Sequence, residues 1–248
     1  MIRRGPALAL ALLAAGLALA DPRPPATPVQ TPLPGGAREP VPEGIVTRLP
    51  TRERVVALTF DACQAGRRMT LDRRITDVLL ARGIPFTIFM GGRFARDNAE
   101  AVRELATHPT VSIQNHTWSH PRDLRQLGDE AVRVEVERAT TQIVEVVGRR
   151  PTLFRFPGGH ADARSVGLVR TLGYTTVHWR WAEGDPAPQV GADVLTAQTL
   201  ERTRPGDILI FHVNGRGWHT AEALPAIIDG LTARGFRFVL VSDYVGAP

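Results

Sequence analysis

The sequence predicts an α/β fold built on a mainly parallel sheet, and two observations carry that prediction. Three segments repeat one local pattern, in which an amphipathic stretch meets a glycine and then an apolar, β-branched run. They are Leu79–Gly83 before Ile84–Phe89, Val169–Gly173 before Tyr174–Trp179, and Leu231–Gly235 before Phe236–Val241. A glycine just past a helix adopts the left-handed conformation at little cost, so each segment reads as helix, tight turn and buried strand. The second observation is that Asp61, His116 and His212 each follow the end of an apolar run. In parallel α/β sheets, active sites are built at that edge.

The elements follow in order. Val55–Phe60 reads as a short buried strand ending at Asp61, Thr110–Ile113 as another ending just before Asn115 and His116, and Ile208–Phe211 as a third ending at His212. Helices are expected over roughly 70–82, 98–107, 129–147, 162–172 and 219–234, with Asp129, Asp162 and Thr220 as N-caps.

The ends and the composition set the frame. Residues 1–20 read as a secretory signal peptide: Arg3 and Arg4 give the positive start, Ala7–Leu19 the apolar run, and Ala18-Leu19-Ala20 the small-residue cleavage site. The run is short for a membrane span and ends at Asp21 and Pro22, so no stable membrane insertion is expected after cleavage. Residues 21–45 are rich in Pro, Gly, Ala and Thr and read as a flexible tether. Residues 46–248 suffice for one core, giving a single domain. All 30 basic residues are arginine and the formal net charge is +5. No basic stripe is interleaved with aromatics along the sequence, which argues against nucleic acid as a partner. Cys63 is the only cysteine, so no intramolecular disulfide forms; it is a buried thiol, a metal ligand or a reactive group.

Four clusters carry chemistry. His116 and His120, four residues apart, are expected on one side of a helical turn, where two imidazoles reach one metal ion. Thr59-Phe60-Asp61 precedes them, followed by Ala62. Arg155-Phe156-Pro157-Gly158-Gly159 lies downstream and Ile210-Phe211-His212 further on. Two histidines alone leave a metal site open, and the third ligand can be Asp61, Cys63 or water. Asp61 or water is preferred, because Cys63 aims like Asp61 only if the strand continues past it.

Together these motifs resemble the polysaccharide deacetylases of the NodB-homology kind, carbohydrate esterase family 4, over about residues 53–245. The resemblance implies an irregular (β/α) barrel and metal-dependent hydrolysis of N- or O-linked acetyl groups on an extracytoplasmic polysaccharide. In the family's first motif, Asp61 is the general base; Ala62 stands where the family has a second aspartate that binds metal. His116 and His120 would be metal ligands, with zinc favoured over cobalt or nickel. Arg155 would orient Asp61. Pro157, Gly158 and Gly159 would belong to a substrate loop whose N–H groups hold the oxyanion. Asp185, six residues past Trp179, would tune His212 as general acid, and Trp218 would stack on a sugar ring. The implied partner is an acetylated glycan, and the expected protein is an exported monomer, periplasmic or secreted. Two other functions fit the same residues: a metal-poor glycan-binding domain, and a hydrolase of a non-sugar amide.

Overall fold

A computed structural model describes Met1, residues 42–64 and residues 68–246. The signal peptide and all but the last residues of the tether expected at 21–45 lie outside the described residues.

Strands β1 (Ile45–Val46), β2 (Val55–Ala62), β3 (Phe86–Met90), β4 (Val111–Asn115), β5 (Leu153–Phe154), β6 (Thr175–Val177), β7 (Ile208–His212) and β8 (Arg237–Phe238) form one parallel sheet. Its order is β1-β6-β5-β4-β3-β2-β7, with β8 added alongside β2. Among the described residues the edge strands β1 and β7 do not pair. Irregular backbone joins their flanks instead, through an antiparallel bridge between Arg48 and Asp207 and a hydrogen bond from Leu49 N–H to the Gly206 carbonyl. The result is a curled, incompletely closed (β/α) barrel, the class read from the sequence.

Every residue of β2, β3 and β4 is buried. Side chains of one face, including Ala57, Phe89, Leu153 and Ile208, fill a common cluster with Leu49 and Val241. On the other side Phe154, Phe156 and Tyr174 pack against Val132 and Val136. A strand buried on both faces needs no polar alternation, which is why these segments read as continuous apolar runs.

Helices α1 (Arg73–Ala81), α3 (Ala99–Ala106), α4 (Asp129–Val147), α5 (Ala163–Thr171) and α7 (Thr220–Ala233) match the five expected from the sequence. Helices α2 (Gly92–Asp97) and α6 (Ala192–Arg202) are additional to these five. The first has only six residues and the second has little apolar face, burying Leu195 and Thr199. The three turn glycines Gly83, Gly173 and Gly235 all have positive φ, as the repeated pattern requires. Asp162 caps α5 in a reciprocal capping box with Ser165. Two cap assignments move by one residue: Gly128 precedes α4 and His219 precedes α7, so Asp129 and Thr220 are the first helical residues. Asp129 still places its charge at the favourable end of the helix dipole.

Candidate active site

Strand β2 runs two residues further than its apolar pattern, so Asp61 lies within the strand, beside His212 of β7 in the register. Alternation then sends Ala62, the last residue of the strand, to the face opposite Asp61, and Cys63 follows outside the strand. The strand stops before Cys63, so alternation does not aim the thiol; its position beside the histidines comes from the backbone that follows β2.

Asp61 is 4% exposed, and its carboxylate is held by Arg155. Arg155 Nη1 donates to Oδ1 at 2.9 Å, and His116 Nε2 lies 3.6 Å from Oδ2. Burial alone would raise its pKa, but His116, Arg155 and His212 outweigh that and hold it below the ordinary carboxylate value. Arg155 is fully buried just past β5; its guanidinium lies 3.9 Å from the Phe89 ring centroid, and its Nε donates to the Val177 carbonyl. A cation fixed this firmly defines where the carboxylate sits.

His212 Nδ1 lies 2.9 Å from Asp185 Oδ1. Asp185 Oδ2 accepts from the His212 backbone N–H and from Thr220 Oγ1. Burial opposes a charge on His212, but Asp185 and Asp61 override it and raise the pKa. The Asp185 pairing leaves His212 Nε2 as the ring nitrogen able to hand over a proton. Behind this pair, Gly217 approaches so closely that a Cβ there would lie 2.5 Å from the His212 carbonyl oxygen and 2.8 Å from Asp185 Oδ2. Glu183, unremarked in the sequence, is buried and accepts from Ile210 N–H; burial raises its pKa well above the usual carboxylate value.

The His116–His120 pair is not helical. It occupies a loop after β4 in which Thr117 and His120 have positive φ, at 70° and 57°. For a threonine that is an uncommon conformation, held here by a bond from Thr117 N–H to Asn115 Oδ1 and one from His120 N–H to Thr117 Oγ1. The bend brings the two rings to a centroid separation of 5.0 Å. His116 Nδ1 donates to the Arg155 carbonyl at 2.7 Å, which leaves Nε2 as the inward atom, buried and without a hydrogen bond. Burial, followed by the neighbouring His116, pushes the His120 pKa down to about 3, so this imidazole is neutral.

One ligand atom each from Cys63, His116 and His120 lies within 4.8 Å of the others. A thiol and two neutral imidazoles, one with an orphaned buried nitrogen, are a donor set that fits a borderline-soft divalent ion. Burial and then Asp61 push the Cys63 thiol up to about 12. Asn214 Nδ2 donates to its carbonyl and reaches its Sγ at 3.4 Å.

Beside these groups lies a cavity of about 550 Å³ lined by Asp61, His120, Gly158, Trp179, Asp185 and His212, among others. Of the expected substrate residues, Gly158 lines it. Pro157 is buried beside it, and Gly159, at φ 73°, lets Trp179 lie close, since a Cβ there would meet the indole at 3.0 Å. Trp218 is 52% exposed and outside the lining; Trp179 supplies the aromatic wall instead. The Gly159 and His160 N–H groups bond to the Phe156 and Pro157 carbonyls, so they do not serve an oxyanion in this conformation. His160 and Arg122 also line the cavity and carried no signal in the sequence, because neither sits in a motif or at a strand end.

The family model for polysaccharide deacetylases matches residues 48–177, just over half of the chain. The chain belongs to the polysaccharide deacetylase family. Members of this family are hydrolases acting on acetyl amide or ester bonds. A peptidoglycan-N-acetylglucosamine deacetylase of Bacillus cereus is 29% identical over 206 residues, covering 82% of this chain and 93% of the relative. The solved structure of the Bc1960 peptidoglycan N-acetylglucosamine deacetylase superposes with a TM-score of 0.75 at 25% identity, over 83% of this chain and 94% of that one. BA3943 of Bacillus anthracis, described as a family 4 pseudoenzyme, shares the fold at a TM-score of 0.72 and 20% identity, over 81% and 68% of the two chains. Among the described residues no helix is long and apolar enough to cross a membrane.

Proposed function

We propose that this polysaccharide deacetylase is a metal-dependent, exported enzyme that removes acetyl groups from a cell-envelope or environmental glycan, with Asp61 as general base and His212 as general acid. The observation that carries the reading is the pairing of these two residues. They are neighbours across β2 and β7, face one cavity, and are shifted in opposite directions: the Asp61 pKa is held below the ordinary carboxylate value and the His212 pKa above the ordinary imidazole value. A base and an acid tuned apart at one site are what hydrolysis of an acetyl amide or ester requires.

Cys63, His116 and His120 are the residues that would hold the divalent ion, with the thiol standing in for the ligand that Ala62 does not provide. Zinc suits this donor set best. When bound, the ion supplies Lewis acidity toward the acetyl carbonyl and a lowered pKa for the attacking water. The chain's own residues do the rest. Arg155 fixes Asp61 so that its free oxygen takes the proton from water. His212, oriented through Nδ1 by Asp185, delivers the proton from Nε2 to the departing amine or hydroxyl. Trp179 offers a face on which a sugar ring stacks. The signal-like residues 1–20 support export.

The test is acetate release from acetylated chitooligosaccharides, peptidoglycan, xylan and poly-N-acetylglucosamine, with elemental analysis of the purified protein. Stoichiometric zinc, lost in His116→Ala and Cys63→Ser, together with acetate release abolished by Asp61→Asn, is expected. A protein without metal or acetate release on this panel is instead a glycan-binding domain, the alternative that Ala62 favours.

A further inference from the structure

Beside the catalytic cavity lies a second groove, of about 540 Å³, lined by Gln64, Arg68, Arg93, Arg96, Trp118 and Arg138, among others. Gln64 and Ser119 line both spaces, so the groove continues the cavity past the histidine loop. Four arginines converge on it from three separate places: Arg68 beyond β2, Arg93 and Arg96 on α2, and Arg138 on α4. Among the described residues one carboxylate, Asp97, lines it, and its oxygens are engaged by Arg96 Nε and Gln64 Nε2. Among the described residues no carboxylate pairs with Arg93 or Arg138. The Arg138 guanidinium lies 4.0 Å from the Trp118 ring centroid, and Arg96 lies 5.6 Å from it on the same indole. Stacking limits the motion of guanidinium groups that would otherwise sweep solvent, leaving their N–H edges to face a ligand.

A groove with this excess of positive charge, holding planar forks that match oxyanions and continuous with the catalytic cavity, fits a ligand with a negative group to one side of the reacting acetyl. We infer that the arginine groove is a subsite for an oxyanion, carboxylate or phosphate, carried by the glycan next to the residue being deacetylated, so that the substrate is an acidic polysaccharide. The inference rests on the deacetylase reading for where the acetyl group sits, but the subsite can be tested by binding alone.

The experiment is calorimetric titration of the full-length protein with three oligosaccharides of equal length: a neutral chitooligosaccharide, one bearing carboxylates on alternate sugars, and one bearing phosphates. A single-stranded oligonucleotide forms a fourth arm. Binding about 10-fold tighter to an anionic glycan than to the neutral one is expected. That preference should weaken as salt is raised and be lost in Arg93→Gln/Arg138→Gln, and the tighter of the two anionic arms identifies the group. Both arginines are exposed, so the variant should fold, and circular dichroism checks this. Equal affinity for neutral and anionic glycans would overturn the inference, as would an unchanged preference in the folded double variant or tighter binding of the oligonucleotide. Acetate release, measured separately, reports on the deacetylase reading and not on the groove.

Discussion

At the scale of single residues, the Asp185–His212 pair makes the sharpest forecast. The acid must be protonated to act, and Asp185 holds the His212 pKa above that of a free imidazole. Activity should therefore persist above the ordinary histidine value and fall as pH rises through the raised one. Asp185→Asn removes the charge while keeping an oxygen for Nδ1, so the alkaline limb of kcat should move to lower pH; an unmoved limb would take His212 out of the acid role. Asp61→Asn should cost about 10²- to 10⁴-fold in kcat, since it removes the base and leaves Arg155 buried without a counter-charge. Cys63→Ser tests the metal set without relying on turnover. A hydroxyl is a much poorer ligand than a thiolate, so zinc affinity should drop by at least about 10-fold, the effect seen when supporting groups of metal sites are lost. Ala62→Asp should not replace the thiol in that measurement if Ala62 keeps its present direction, opposite Asp61.

At the scale of elements, the site depends on backbone features more than on side-chain chemistry. The two extra residues of β2 carry Asp61 inside the strand, and the backbone just after it sets Cys63 beside the histidines. A bent loop, not a helical turn, converges His116 and His120, and its positive-φ residues are held by local hydrogen bonds that no spacing rule reveals. Gly217 lets the loop after β7 press against His212 and Asp185. Gly217→Ala should lower stability by about 1–3 kcal/mol, seen as a drop in Tm, and should depress kcat more than KM because the displaced groups are the acid and its partner. The helices most legible in the sequence were those with a buried stripe or a capping residue, such as α5 with its box at Asp162. The short α2 was not, although Gly92 brings it against Trp118 and the Ala139 backbone and so shapes the arginine groove.

At the scale of the whole molecule, the curled sheet brings β2, β4, β5 and β7 edges around one cavity, joining residues as distant as Cys63 and His120 in sequence. Because such a metal set exists only in the folded chain, zinc at about 100 times its Kd should stabilise the protein by about 2.7 kcal/mol, and a chelator should reverse the rise in Tm. An unchanged Tm would remove Cys63, His116 and His120 as a metal centre. The sequence by itself determined the parallel α/β class, the strand ends that bear Asp61, His116 and His212, and the family, because burial on both faces and turn glycines write themselves into short stretches of chain. It also located Asp185 and Arg155. Only the tertiary structure decided that Cys63 joins the histidines, that Trp179 and not Trp218 walls the cavity, and that four scattered arginines meet at one groove. Those facts depend on distances between segments far apart in the chain, which the curl of the sheet sets and local periodicity does not record.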